Sequence, residues 1–210
     1  MGVDHDAWWE RPVLVGPHVR LEPLTAEHAE GLHAAGADPE VWTWLNQRQP
    51  ADLDATRRMV ADKLVAAERR DHLPWVQVDL ATGAVAGTTS YYGVDPQHRS
   101  LSIGYTWLGR RWQRTPINTE AKLLLLTRAF EELGALRVGW QTDIRNERSQ
   151  RAIERLGARR EGVLRKHRVR PDGTIRDTVQ YSMTDDEWPA ARERLTGRLT
   201  PAFAGSPSNE

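Results

Sequence analysis

One stretch in the second half of the chain constrains the fold more than any other. The run Leu101–Leu108 has strand-forming residues, and a basic loop follows it. Asn118, Thr119 and Glu120 then precede four consecutive leucines at 123–126, which predicts a helix. Three arginines lie in the loop between this strand and this helix: Arg110, Arg111 and Arg114.

This loop predicts an anion site. Asn118 or Thr119 can cap the helix that follows. The N-terminus of a helix presents backbone N–H groups and a favourable dipole to a phosphate, and arginines add charge-assisted donors. We therefore expect a pyrophosphate to bind here. The alternative from these residues alone is an ordinary strand-loop-helix connection whose arginines are solvated.

A second strand and a second helix follow this unit. Arg137–Asp143 is typical of a strand, and 146–158 is typical of a short helix that Gly157 closes. The helix between the two strands predicts that they lie parallel, joined by a right-handed crossover.

The other segments predict an antiparallel sheet with flanking helices. The order is strand, two helices, three strands, helix, strand, helix and hairpin, followed by a last helix to about Leu199. We therefore expect an α+β fold with a mixed, mostly antiparallel central sheet. The predicted segments around the central unit are 19–24, 29–35, a helix capped at Asp52, 73–80, 85–94, and a hairpin of 161–169 with 176–183.

Composition excludes several classes of protein. Lysine plus arginine equals aspartate plus glutamate, at 29 each, which argues against a nucleic-acid binder. No apolar run approaches the roughly 20 residues that span a bilayer, so no membrane association is expected. The absence of cysteine excludes disulfides and thiolate metal sites, and no metal is expected. The N-terminus lacks the apolar core of a signal peptide, so a cytoplasmic location is expected.

The quoted motifs resemble those of the GNAT superfamily of acyl-CoA-dependent N-acyltransferases. Four features carry the resemblance: Thr119-Glu120-Ala121, Asn146-x-x-Ser149, Leu156-Gly157-Ala158, and the 161–181 hairpin. The branch it resembles most is that of the ribosomal-protein N-terminal acetyltransferases. The resemblance extends from about Val19 to Trp188. It implies a domain over 19–199, an N-terminal extension over 1–18 and a disordered tail over 200–210.

The resemblance implies that acetyl-CoA is the co-substrate and lies between two splayed strands, Leu101–Leu108 and Arg137–Thr142. Main-chain groups of Trp107 and Leu108 would bond the pantetheine arm, and the loop would hold the pyrophosphate. One departure concerns that loop, because Arg114 and Pro116 stand where the family usually has Gly-x-Gly. The expected CoA-binding residues are Trp107, Leu108, Gln113, Arg114, Thr115, Ile117, Asn118, Thr119 and Asn146. For Asn146, capping the following helix is an equally open role.

Acyl transfer to an amine also needs a group near the departing sulfur and an acceptor site. The resemblance makes Ser149 the candidate hydrogen-bond donor to sulfur, and the alternative is that it only caps a helix turn. No general base can be assigned, and water-relayed deprotonation is plausible chemistry. The candidate acceptor-binding residues are Trp42, Trp44, Tyr91, Tyr105, Asp143 and His167.

Three functions remain open from the sequence. The favoured one is an acyl-CoA-dependent N-acyltransferase with an amine acceptor. The second is an inactive CoA-binding sensor, since the loop lacks its usual glycines. The third is a peptide-binding module that uses the tryptophans. The acceptor amine, the acyl group and the question of a homodimer are left open.

Overall fold

The computed structural model describes residues 5–199 and shows one eight-stranded mixed sheet flanked by helices. The strand order is β1-β2-β3-β4-β5-β6-β8-β7, and only β5 and β6 pair in parallel within the described chain. The predicted α+β class is therefore confirmed. The strands are β1 Leu14–Val15, β2 Val19–Pro23, β3 His72–Asp79, β4 Val85–Asp95, β5 Ser100–Leu108, β6 Arg137–Asp143, β7 Arg159–Val169 and β8 Ile175–Thr184; the helices are α1 Ala29–Ala35, α2 Leu53–Glu68, α3 Pro116–Thr127, α4 Glu147–Leu156 and α5 Trp188–Leu199.

The centre of the sheet is splayed. β5 and β6 pair at three positions only, the last being Ser102 with Gly139. Beyond that pair β5 runs on to Leu108 and β6 to Asp143 without further pairing between them. Main-chain groups on the facing edges are thus left for another partner.

A bulge in β5 accompanies the splay. The β4–β5 register shifts between Thr88 and Ser90, so that two residues of β5 oppose one of β4. One of the two, Tyr105, has φ +49°, a left-handed conformation that is rare for a bulky residue. Such bulges bend a strand and redirect its side chains, and this one lies beside the gap.

The core fills both faces of the sheet, and seven of the nine tryptophans are buried in it. On one face Tyr91 packs edge-on against Trp75, and its hydroxyl donates to the Leu125 carbonyl of α3. Tyr91 is fully buried, so its assignment to the acceptor site was wrong. Successive residues of a strand point to opposite faces, and the next residue, Tyr92, packs edge-on against Tyr105 on the other face.

The residues before Val19 also take part in the fold. β1 pairs with β2, and Trp8 is fully buried. Buried Glu120 of α3 accepts the backbone N–H groups of His18 and Val19, each at 2.6 Å. The sheet therefore begins ahead of residue 19. The predicted tail, 200–210, lies outside the described residues, and within 5–199 no helix has the length and apolarity needed to cross a bilayer.

Candidate active site

The N-terminus of α3 lies at the end of the basic loop. The helix begins at Pro116, with Thr115 as an N-cap whose side chain caps nothing. The prediction that Asn118 or Thr119 caps this helix was wrong, because the fixed φ of proline suits the first helical position and starts the helix earlier. Asn118 and Thr119 lie in its first turn. Ile117 has a buried side chain, so only its main chain can serve a ligand.

The loop arginines differ in what they contact. Arg110 forms an ion pair with Glu40, and Arg111 stacks over Trp112 at 3.8 Å. Arg114 is exposed and forms no ion pair with any residue in 5–199. Its φ is +64°, the left-handed conformation that glycine adopts without cost. The backbone thus takes a glycine-type turn where the family usually has glycine, and the arginine nearest the uncapped helix is left for an anion.

The open edge of β5 belongs to Leu108 and not to Trp107. The Trp107 carbonyl lies against Gly87 of β4 and accepts from Gln77 at 3.5 Å. Gly109 N–H also bonds toward β4, to Ala86. Since main-chain groups alternate in direction along a strand, those of Leu108 point toward the gap. The expectation that main-chain groups of Trp107 bond the pantetheine is therefore corrected, because the Trp107 carbonyl is turned toward β4. The Leu108 carbonyl accepts a hydrogen bond from the Gln113 side chain.

Helix α4 begins on the other side of the gap. The Asn146 side chain accepts from Ser149 N–H at 3.0 Å and so caps the helix. The capping role left open for Asn146 is thus present. Ser149 takes part through its backbone, and its half-buried side chain is not needed for the cap. A contact of either side chain with a ligand remains a prediction.

Arg148, which the sequence reasoning missed, links the two sides of the gap. Its guanidinium donates to Gln113 Oε1 at 2.8 Å, and so joins α4 to the loop before α3. Arg148 is the residue before Ser149 in the Asn146-x-x-Ser149 motif, and this position is the sequence feature that could have indicated it. Together with Arg114 it gives this end of the gap two exposed guanidinium groups.

A cavity of about 320 Å³ opens at the C-terminal end of β6. It brings together three of the predicted acceptor-binding residues, Trp42, Trp44 and Asp143. Its walls come from the segment between α1 and α2 and from the tip of the β7–β8 hairpin. The other lining residues are Pro39, Thr43, Leu45, Asn46, Gln47, Arg48, Gln49, Arg170, Pro171 and Asp172.

The two tryptophans of this cavity have different environments. Trp42 is 6% exposed, donates to the Gly36 carbonyl at 2.8 Å and lies 5.2 Å from the ring of Trp107. Trp44 is only half-buried. Trp42 is therefore mainly a core residue that shows one edge to the cavity, whereas Trp44 offers a freer aromatic face.

Asp143 is buried and already paired. Arg170 donates to both of its carboxylate oxygens, at 2.7 and 3.0 Å. Burial raises the pKa of Asp143, but the bonds from Arg170 and from the Arg145 N–H outweigh it and hold the pKa below its usual value. Asp143 is thus an ionised, engaged carboxylate, which makes it a poor general base.

Tyr105 and His167 do not line this cavity. Tyr105 is 45% exposed and stacks on His72 at 5.0 Å. His167 is half-buried, and burial followed by the charges of Arg168 and Arg176 lowers its pKa. No sequence pattern indicated the polar residues around Tyr105 and Tyr92, which are the buried Lys63, His72 and Arg176.

Comparison with known proteins agrees with this geometry. The profile of the family described as "Acetyltransferase (GNAT) domain" matches residues 18–159. A GCN5-related N-acetyltransferase from Brucella melitensis has a similar structure, with 35% identity and a TM-score of 0.87 over 94% of this chain and 90% of that one. A putative acetyltransferase structure from T. thermophilus is 42% identical, with a TM-score of 0.83 over 91% of this chain and 100% of that one.

Among curated proteins, "Putative ribosomal N-acetyltransferase YdaF" of Bacillus subtilis (strain 168) is 35% identical over 109 residues. That match covers 52% of this chain and 58% of the relative. With the family profile matching most of the chain, the chain belongs to the GNAT family of acetyltransferases. It is an N-acetyltransferase, and the resemblance seen in the sequence is confirmed.

Proposed function

We propose that the protein transfers an acetyl group from acetyl-CoA to a primary amine, either a protein N-terminus or the amine of a small molecule. The observation that supports this most is the gap between β5 and β6. After β5 the chain leads to an uncapped helix N-terminus with exposed Arg114 and Arg148 beside it, and at the C-terminal end of β6 it has an indole-lined cavity. The helix N-terminus and its arginines suit the phosphates of acetyl-CoA, and the cavity suits the amine acceptor.

The residues beside the gap fit the parts of acetyl-CoA. The amides of Ile117, Asn118 and Thr119, with Arg114 and Arg148, are suitable donors for the pyrophosphate. Gln113 and Thr115 belong to the same loop. Pro116 offers no N–H, so the first helical position contributes none. Leu108 main-chain groups and the Asn146 amide nitrogen are the candidates for bonding the amides of the pantetheine arm.

The chemistry follows from these positions. The neutral amine attacks the thioester carbonyl carbon, the C–N bond forms, and the C–S bond breaks. The nitrogen loses one proton and the sulfur gains one. We assign to the Ser149 hydroxyl a hydrogen bond toward the departing sulfur. Because Asp143 is engaged by Arg170, we assign the amine's proton to solvent and to no carboxylate.

The acceptor is proposed from the shape of the site and one relative. The cavity is open and lined by Trp44 and by polar groups of the 43–49 segment, which suits an extended peptide end. The name of YdaF points to a ribosomal acceptor for that protein. We extend this to a protein N-terminal amine as the acceptor of this chain, with small amines as the second candidate.

Thiol release with acetyl-CoA tests this function. The protein is incubated with acetyl-CoA and either peptides with free N-termini or small amines, and mass spectrometry checks the product for one added acetyl group. We expect release that depends on the amine. Binding of acetyl-CoA without release for any amine would indicate the sensor, and no binding by calorimetry would indicate the peptide-binding module.

A further inference from the structure

Three cations surround Tyr92 and Tyr105 on the face of the sheet that α2 covers. We call Lys63, Arg168 and Arg176 the cationic cluster. Lys63 of α2 is 8% exposed, and its Nζ lies 5.6 Å from the centre of the Tyr105 ring. Across the described chain Lys63 has no hydrogen-bond acceptor and no ion pair, and this cation–π contact is the attractive contact of its ammonium group.

Arg176 is also buried without an acid. It is 6% exposed and donates to two neutral oxygens, Asn46 Oδ1 at 2.9 Å and Thr178 Oγ1 at 3.0 Å. Arg168 lies directly across from it in the β7–β8 pairing. No ion pair of either arginine occurs within 5–199.

The charge of the buried carboxylate Asp143 acts on Arg176, but within residues 5–199 the two form no ion pair. Asp143 accepts instead from Nε and Nη2 of Arg170, which is itself a fourth cation. The effect of the unpaired charge is visible on His72, since burial and then the charge of Lys63 lower its pKa to about 4. Buried charges without partners destabilise a fold, and apolar replacements of them often stabilise it. A cluster kept for stability alone would therefore contain an acid.

The cluster lies where the gap opens. Tyr92 lies opposite Ser102 in the β4–β5 pairing, Ser102 is the last residue of β5 that pairs with β6, and the charges of Arg168 and Arg176 act on the Tyr92 hydroxyl. Tyr105 follows in the bulge and is 45% exposed, so the cluster is open to solvent beside Tyr105. A reacting thioester and amine would meet close to this point.

We propose that the cationic cluster is a binding subsite for a carboxylate of one of the two substrates. The inference rests on the proposed acyl transfer at this gap. Two sources supply the same chemistry: the free carboxylate of an acidic acyl group on CoA, or an acidic group of the acceptor close to its amine. In both cases the carboxylate supplies the acceptor that Lys63 and Arg176 lack.

The test pairs substrates that differ only in this carboxylate. The first arm compares succinyl-CoA with acetyl-CoA at a fixed amine. The second arm uses acetyl-CoA with two peptides that carry Glu or Gln beside the N-terminal residue. Calorimetric affinity and turnover are both measured for the wild type, Lys63→Met and Arg176→Met. Arg58→Met is the control, since Arg58 is an exposed cation on the same helix.

We expect the acidic member of one pair to be preferred by about tenfold or more, the size of one charge-assisted hydrogen bond. Lys63→Met and Arg176→Met should each reduce the ratio of the two affinities toward one, and Arg58→Met should leave this ratio unchanged. Melting temperatures show that the variants fold, and Lys63→Met should melt no earlier than the wild type. The arm that shows the preference identifies the source of the carboxylate.

Equal affinity for both members of both pairs would overturn the subsite, whether or not turnover occurs. A preference that survives both cluster variants would overturn it too. Acyl transfer without any preference for the acidic substrate would support the proposed function and contradict the carboxylate subsite. A preference in binding without transfer for any pair removes the proposed function and keeps the carboxylate site.

Discussion

Arg114 combines an unfavourable backbone conformation with a free charge. Its left-handed φ of +64° costs a residue other than glycine roughly 1–2 kcal/mol. The neighbouring arginines, Arg110 and Arg111, are engaged by Glu40 and by the ring of Trp112. An arginine in this conformation beside an uncapped helix N-terminus is best explained by a contact with an anionic ligand.

Reversing the charge of Arg114 should therefore weaken acetyl-CoA binding. We expect Arg114→Glu to lower the affinity by more than about tenfold, because one charge-assisted donor is lost and a repulsive charge is added. Calorimetry measures the affinity. Arg165→Glu makes the same charge change at an exposed position on β7 and should have no such effect. Equal affinity of Arg114→Glu and the wild type would remove this loop from the CoA site.

The Ser149 hydroxyl can be removed without disturbing the helix cap, because the bond to Asn146 uses the Ser149 N–H. We expect Ser149→Ala to lower kcat by about tenfold or more and to change the acetyl-CoA KM little. Ser149→Thr keeps a hydroxyl and should retain more activity. Steady-state kinetics of the two variants decide this. Turnover of Ser149→Ala at the wild-type rate would leave Ser149 with a structural role only.

At the scale of elements, the segment between α1 and α2 has two tryptophans two residues apart in different roles. Trp44→Leu deletes an accessible aromatic face at the cavity, and the acceptor KM should rise severalfold while the melting temperature holds. Trp42→Leu removes a buried ring and its bond to Gly36, and should destabilise the fold by about 2–4 kcal/mol.

Acceptor kinetics and urea unfolding of both variants test this division. Each variant is the control for the other, because both replace an indole by leucine in one short segment. Early melting of Trp44→Leu with unaltered acceptor kinetics would place Trp44 in the core as well. The acceptor would then have to be sought around Tyr92, Tyr105 and the tip of the hairpin.

The order of the elements could be predicted because each one depends on local pattern. Alternation, caps and the glycine at 157 are properties of neighbouring residues. The face of the sheet on which each side chain lies could not be predicted in the same way. Alternation shows that Tyr91 and Tyr92 point to opposite faces of the sheet, but it does not show which of these two faces α3 covers. The bulge at Tyr105 shifts the register by one residue, which determines the direction of the Trp107 carbonyl.

Buried polar residues were the other limit of the sequence. Lys63 lies on α2, which was predicted only as a helix capped at Asp52, and nothing local marks one lysine as buried beside Tyr105. Its environment is made by strands β3 and β5, which are distant along the chain. The candidate site was therefore predictable where motifs define it, at the loop and α4, and not where tertiary packing assembles it.

At the scale of the whole molecule, a second buried lysine links pH to stability. Lys122 of α3 is 4% exposed, and its Nζ donates to Thr89 Oγ1 at 2.9 Å and to Thr106 Oγ1 at 2.7 Å. These hydroxyls lie on the strands that form the bulge, so the contact joins α3 to β4 and β5. Burial lowers the pKa of Lys122 to about 7, from 10.5 for a free lysine.

Because the folded pKa lies below the unfolded one, the unfolded chain binds this proton more readily. Stability should thus rise with pH between about 7 and 10.5, with a slope of up to about 1.4 kcal/mol per pH unit from this one group. Below about pH 7 Lys122 is protonated in both the folded and the unfolded chain, and the free-energy cost of burying its charge is fully present. Above 10.5 the cost is absent.

Lys122→Met isolates this contribution, because it removes the charge and keeps most of the volume. Thr89 and Thr106 still have each other as partners, with their oxygens 2.9 Å apart. Near pH 7 we expect the variant to be more stable than the wild type, and the difference should shrink as pH rises toward 10. Urea unfolding at about pH 6.5, 8 and 9.5, values chosen to bracket this range, measures it, with Lys166→Met as the exposed-lysine control. A difference that stays constant over this range would show that Lys122 keeps its proton inside the fold.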